Sequence, residues 1–309
     1  MSWLRSRWFG ALQWVATAAI LIAIGLHFAQ QWDQVQESGV ALALRPGWLV
    51  LSLLMVWAMW VVLIEGWRRL AIGWGVELPW RLAGRIWMLS SFGKYLPGKV
   101  WAAAGMVTMS ERAGVSGKVT LAAAVVMQAL GIGAGVAVAS LAAGPLLTEW
   151  YPDAGRATIL IGVAVAGMLL VVGNRTVLRK LWKLARRTGP APEPPATVLL
   201  IGCIAVNLLA WLVYGAALVV LARGLLPDVA LGWREATGAY TVAYIAGYLG
   251  PAPAGLGIRD SLLALMLATW MGPGEALALA AMSRIASTIN ELGAAAPFYF
   301  SRESARDSA

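Results

Sequence analysis

Long apolar runs, each with few polar interruptions, dominate the chain. A helix crossing the hydrocarbon core needs about 20 apolar residues at ~1.5 Å each. Runs of that kind cover residues 8–29, 48–71, 119–143, 157–172, 197–221 and 276–300, and they predict six full transmembrane helices. The first follows Arg5 and Arg7, as a signal peptide would. It is long for a signal core, and His27-Phe28-Ala29 makes a poor cleavage site, so it reads as a retained span.

Two further apolar stretches are broken in the middle. Residues 84–110 are interrupted by Phe92-Gly93-Lys94-Tyr95-Leu96-Pro97-Gly98-Lys99, and residues 235–271 by Gly250-Pro251-Ala252-Pro253-Ala254-Gly255-Leu256-Gly257-Ile258-Arg259-Asp260. Proline removes a backbone donor and glycine admits unusual dihedrals, so Gly93, Pro97, Gly98, Gly250, Pro251, Pro253, Gly255 and Gly257 are the expected breaking points. The arms on either side are too short for a comfortable crossing. Broken backbone at membrane depth survives only where protein or a wet cavity satisfies it. Two re-entrant helical hairpins follow as the economical reading.

Loop charge orients the spans. Arg175, Arg179, Lys180, Lys183, Arg186 and Arg187 share one segment without an acid, which places it in the cytoplasm. The loops at 30–46 and 144–156 hold more acids than bases and face outward. Arg68, Arg69, Arg81 and Arg85 mark another inner loop. These assignments agree only if residues 84–110 return to the side they entered. The expected fold is therefore an all-α polytopic membrane protein, a single transmembrane domain over residues 1–309 with both termini cytoplasmic.

The broken segments resemble each other. Gly93 and Gly250 stand 157 positions apart, as do Gly98 and Gly255. Three spans separate the hairpins, so the hairpins enter from opposite faces. The expectation is an inverted-topology repeat, with halves at about 48–173 and 197–300 and a basic, proline-rich linker at 174–196.

Composition agrees with the pattern. The chain is 60% hydrophobic and only 13% charged, about half the charged share of an average soluble domain. A soluble enzyme, a nucleic-acid reader and a secreted disulfide scaffold are excluded. The net charge of +9 fits basic inner loops and anionic lipid. Cys203 is the one cysteine and reads as core filler. His27 is the one histidine and an interfacial side chain, which excludes a His/Cys metal cluster. Tryptophans near span ends form interfacial belts, and Gly131-Ile132-Gly133-Ala134-Gly135 reads as close helix packing.

Charges inside apolar segments are functional suspects. Lys94 and Lys99 flank the first break, Arg259 and Asp260 follow the second, and Arg284 and Glu291 lie seven apart on one face of the last span. Gln128 is polar within the third span. Helices opening after Pro97-Gly98 and near Gly257 add free N–H groups, which together with the cations suggest a midplane pocket for phosphate. The bland alternatives are that Lys94 and Lys99 snorkel to the interface, Arg259 pairs with Asp260 or Glu275, and Arg284 pairs with Glu291. Glu65 reads as a helix-end partner of Arg68 and Arg69. No catalytic constellation, metal motif or cofactor loop is evident, so no enzyme activity and no cofactor are expected.

The segments 91–100 and 246–259 give the chain a family likeness. Leu96-Pro97-Gly98-Lys99 and Pro253-Ala254-Gly255-Leu256-Gly257-Ile258-Arg259-Asp260 resemble the Leu-Pro-Gly-Lys/Arg and Pro-x-Gly-Gly-Leu-Gly-x-Arg-Glu motifs of the lysylphosphatidylglycerol synthase transmembrane, or flippase-like, family. Ala254 stands where that family usually has glycine, Asp260 where it has glutamate, and Gln128 in a region that often holds a Glu-Arg pair. The resemblance, covering the chain from the second span onward, implies a lipid-translocating domain in a bacterial inner membrane. Its substrate would be an anionic phospholipid or a polyprenyl-phosphate-linked headgroup. This would be a stand-alone member, without the aminoacyl-transferase domain that two-domain members carry. On this reading Lys94, Lys99, Arg259 and Arg284 hold the headgroup, with Asp260, Glu291 and Gln128 around it. A lipid-modifying glycosyl transferase, and an accessory scaffold for a partner synthase, stay open as alternatives, as does a homo-oligomer.

Overall fold

The computed structural model describes residues 39–96, 100–150 and 196–300, with isolated positions at 29, 33, 35–37, 158, 160, 162, 163 and 165. Regular structure in the described residues is helical. The order is α1 (Pro46–Gly73), α2 (Trp80–Ser91), a 3-10 turn (Phe92–Tyr95), α3 (Trp101–Arg112), α4 (Gly117–Trp150), α5 (Thr197–Leu225), α6 (Trp233–Leu249), a second 3-10 turn (Pro253–Gly255), α7 (Ile258–Leu267) and α8 (Pro273–Phe300).

Among the described residues, three helices are long and apolar enough to cross a membrane: α1, α5 and the Gly117–Gly144 portion of α4. They correspond to the runs at 48–71, 197–221 and 119–143. The run at 276–300 is not among the three. Its helix, α8, has 28 residues, about 42 Å at ~1.5 Å per residue. It falls outside that apolar class, because Glu275, Ser283, Arg284, Ser287, Thr288, Asn290 and Glu291 make much of it polar. The run at 8–29, with His27, and the run at 157–172 lie outside the described residues apart from isolated positions. So do Pro97, Gly98, Lys99 and all but the last residue of the linker.

The three apolar helices have the surface a bilayer requires. On α1, Val50, Leu51, Leu54, Trp57, Val61 and Val62 are exposed, which water would penalise and lipid tails accept. The opposite face packs along α5. There Ser52 is buried, and its hydroxyl donates to the Ala217 carbonyl at 2.8 Å. Glu65, near the end of α1, accepts from Arg68 and Arg69 at 2.7 Å each, as its sequence neighbourhood suggested.

Close contact between α4 and α5 depends on small residues. A β-carbon on Gly131 would stand 2.8 Å from Asn207 Oδ1, and one on Gly135 2.8 Å from the Trp211 ring. The Trp211 indole donates to the Gly131 carbonyl at 2.8 Å. Asn207 donates to the Cys203 carbonyl at 2.8 Å, so its amide is satisfied within the helix pair. Cys203 is buried. Trp67, fully buried, donates to the Thr120 carbonyl at 3.1 Å and links α1 to α4.

Both broken segments fold as helix–turn–helix hairpins whose arms pack together. In the first there is no room for a side chain on Gly93, where a β-carbon would meet the backbone of Ala102. A β-carbon on Gly105 would lie 3.6 Å from Ser90 Cα, so α2 and α3 run antiparallel. In the second, Gly255 and Gly257 take φ of 67° and 76°, the left-handed region that glycine enters without penalty.

Ala254 takes φ of 49° in the same turn, which costs a β-carbon-bearing residue roughly 1–2 kcal/mol. A254G is expected to raise stability by about 1 kcal/mol, read as a higher melting temperature of the detergent-purified protein. A lower melting temperature would show that the alanine methyl contributes packing that outweighs the strain.

The halves share one plan. Helix α3 begins at Trp101 and α7 at Ile258, 157 positions later, the same offset as the paired glycines. Each half runs long helix, short helix, turn, short helix, long helix. Packing between them is reciprocal: α1 lies along α5, α4 packs on α6, α8 packs on α2, and the two 3-10 turns touch each other.

Candidate functional site

The two turns meet beside α8, and ionisable side chains of the first turn, α7 and α8 gather there. From the first turn, Lys94 Nζ lies 2.6 Å from Glu291 Oε1. The Tyr95 hydroxyl donates to Glu291 Oε2 at 2.7 Å. One α8 carboxylate therefore receives two donors from consecutive residues of the turn. The Lys94 side chain is 38% exposed and that of Glu291 12%, so the ammonium is the accessible half of the pair.

From the second hairpin, Asp260 in the first turn of α7 receives a forked contact from Arg284. The Arg284 Nε donates to Asp260 Oδ1 at 3.0 Å and Nη2 to Oδ2 at 2.9 Å. Arg284 Nη1 and Nη2 also donate to the carbonyls of Ala254 and Gly255, at 3.1 and 3.4 Å. The guanidinium thus holds both the turn and the helix that follows it. Asp260 also sits at the positive end of α7, where a carboxylate is favourable. Arg284 and Glu291 are two turns apart on one helix face, so α8 carries one ion pair to each hairpin.

Arg259 has a different environment. It is buried at 5% exposure, and its guanidinium carbon lies 5.3 Å from the Tyr240 ring centroid and 5.9 Å from that of Tyr244. Its Nη2 donates to Ser283 Oγ at 3.1 Å and Ser287 Oγ at 3.4 Å. Its Nε finds no hydrogen-bond acceptor among the described residues. Tyr240, Tyr244, Tyr214 and Trp211 form a continuous aromatic wall behind it, with ring centroids 5.4 to 6.2 Å apart. Ring faces attract a guanidinium, which is how a cation is tolerated here without a carboxylate touching it.

These contacts revise the pairings expected from sequence. Arg284 pairs with Asp260 rather than Glu291, and Glu291 pairs with Lys94. Arg259 pairs with neither Asp260 nor Glu275; Glu275 instead accepts from the Gly272 N–H at 2.8 Å, capping α8. The open cationic pocket is also revised, because protein groups engage Lys94, Arg259 and Arg284 directly. Gln128 is not part of the cluster: it lies on an exposed face of α4, near exposed Val125. Gly93, Gly250, Pro251, Pro253, Gly255 and Gly257 all fall in or beside the breaks. No group of three or more metal-ligating side chains occurs among the described residues.

Sequence reasoning missed the aromatic wall, the second donor Tyr95, and the serines. The signal was available. Tyr240, Tyr244 and Tyr248 recur every fourth residue, and Ser283 and Ser287 bracket Arg284 at the same spacing, each forming one helical stripe.

Helices fit to cross a membrane, joined to two helical hairpins that meet at a polar face, define the class as a polytopic helical membrane protein. A family model described as the lysylphosphatidylglycerol synthase TM region matches residues 12–291, and the chain belongs to that family. The match begins in the first apolar run, earlier than the motifs alone suggest, and ends at Glu291. No curated protein matches the chain.

Proposed function

We propose that the protein is a lipid transporter that moves an anionic, phosphate-bearing headgroup across a bacterial inner membrane without altering it covalently. The observation that carries this reading is the meeting of two hairpin turns at one polar face of α8, with Lys94, Arg259 and Arg284 gathered there. A headgroup crossing hydrocarbon needs polar partners at depth, and these side chains offer them. The hairpins are re-entrant on this reading: their arms have 10 to 17 residues, about 15–26 Å at ~1.5 Å each, short of the ~30 Å core. The shared element order and reciprocal packing support an inverted repeat, in which the site lies where the broken helices meet.

Lys94 is the initial contact on this reading. A phosphate competes with Glu291 for its ammonium, and Arg259 then receives the charge behind the turns. Purified protein in vesicles carrying a labelled anionic phospholipid tests it. Redistribution of label between leaflets with the lipid chemically unchanged is the expected result, and K94Q slows it. A covalently altered lipid in place of redistribution would establish the lipid-modifying enzyme. Neither outcome, with a synthase co-purifying even when the hairpin charges are replaced, would establish the scaffold.

A further inference from the structure

A phosphate that engages Lys94 leaves a carboxylate behind. Glu291 divides its two oxygens between the Lys94 ammonium at 2.6 Å and the Tyr95 hydroxyl at 2.7 Å, and its side chain is 12% exposed. We infer that Glu291 is a proton-binding site, which takes up a proton when a phosphate draws Lys94 away and releases it when the phosphate leaves. The inference rests on the lipid-transport reading above and deepens it by naming the coupling ion.

Lys94, Arg259 and Arg284 face two carboxylates, Asp260 and Glu291, and each carboxylate is already matched to one cation. An arriving phosphodiester adds a negative charge and takes the cation of Glu291. Of its two partners Glu291 then keeps the Tyr95 hydroxyl, which supplies no charge. A half-dry carboxylate beside a second anion is strongly disfavoured in its ionised form. Protonation removes the charge and lets the carboxyl accept from Tyr95 while donating through its own O–H. Lys94 is 38% exposed, so the pair opens to water on the side where the phosphate arrives.

No neighbouring cation is placed to take over. Arg284 stands two turns away on α8, held by both Asp260 oxygens and the carbonyls of Ala254 and Gly255. Arg259 feels the Glu291 charge from α7, as Tyr240 and Tyr244 do from α6. Its guanidinium, however, is held by Ser283 and Ser287. The other packed helices bring no charge to this level. On α1 it is Trp57 that meets α8 here, through the Asn290 carbonyl. The one charge of α5, Arg223, lies over Trp48. Arg81 and Arg85 of α2 flank Gly84 at the Phe298 end. A metal cation is a poor substitute for the proton, because it needs a shell of oxygens and would sit among three positive side chains.

Titrate dihexanoyl phosphatidylglycerol into the detergent-purified full chain in buffers of different ionisation heat, and read the protons exchanged from the slope. The phosphodiester of this probe keeps its charge from mildly acid to mildly alkaline pH. Uptake of about one proton per lipid is expected above neutral pH, falling towards none in acid, where the free protein already holds it. The bound state then carries more protons than the free one, so affinity rises as pH falls, by up to about tenfold per pH unit. The linkage is reciprocal, and in vesicles with a pH gradient labelled phosphatidylglycerol should leave the leaflet on the acid side faster. E291Q is expected to bind without uptake and without this pH dependence. K94Q, which has no ammonium to withdraw, should bind more weakly and also without uptake. Binding without uptake in the unmodified protein, uptake that persists in either variant, or a requirement for sodium in place of protons would each overturn the inference. Uptake without leaflet redistribution supports the proton site and counts against transport. Redistribution without uptake counts against the proton site alone, and no binding at any pH removes both.

Discussion

Replacing Asp260 with alanine is expected to destabilise the protein by about 3–5 kcal/mol, the usual cost of stripping one partner from a buried ion pair. The side chain of Asp260 is 1% exposed and that of Arg284 13%, so no water replaces the lost carboxylate. The guanidinium would keep only its contacts with the Ala254 and Gly255 carbonyls. Thermal unfolding in detergent measures the effect, as a large fall in melting temperature. D260E, which restores the carboxylate the family usually has here, is expected to recover most of the loss. The double variant D260A/R284M should be more stable than D260A alone, because it removes the orphaned charge too. An unchanged melting temperature in D260A would mean that the pair carries no structural role.

On the lipid-transport proposal, the second large effect is expected at Arg259, on leaflet redistribution rather than stability. In R259Q the charge is lost while a polar side chain remains between Tyr240, Tyr244 and the two serines. A hydrogen bond to a charged group is worth ~1.5–3 kcal/mol, and 1.4 kcal/mol is a factor of ten. Leaflet redistribution should therefore slow about tenfold or more, with a melting temperature close to that of the unmodified protein. R259K is expected to rescue poorly. Lysine keeps the charge but loses the planar group that lies over two rings while donating sideways. Wild-type redistribution in R259Q would remove Arg259 from the transport path.

Much of the fold was legible because bilayer physics leaves few choices. Residues 48–71, 119–143 and 197–221 became helices extending only a few residues further, since uninterrupted apolar runs have one stable form in lipid. The breaks were legible for the same reason: proline and glycine clusters such as Gly250-Pro251-Ala252-Pro253 cannot continue a helix. The 157-residue offset read from glycines reappears in the starts of α3 and α7.

The site was legible in its residues but not in its partnerships. Spacing places Arg284 and Glu291 on one face and suggests that they pair. Helical geometry sets them two turns apart, about 10 Å along the axis at ~1.5 Å per residue, and leaves each free to reach a different hairpin. Which cation meets which carboxylate depends on how the turns dock, and that is tertiary information. The placement of Gln128 on an outer face was lost for a related reason: in a helix apolar all round, periodicity does not mark the inner side.

The polarity of α8 has a consequence for biogenesis. Alone in a bilayer it would carry Arg284 and Glu291 near its centre, and translocon-based scales put a mid-helix arginine at about 2.5–3.5 kcal/mol unfavourable. Those charges are satisfied by Lys94, Tyr95, Asp260 and the carbonyls of Ala254 and Gly255, all supplied by earlier parts of the chain. Stable insertion of α8 must therefore await the docking of both hairpins, which makes it a late step of assembly. A chain that stalls before that step would expose an unsatisfied helix, a ready target for membrane quality control.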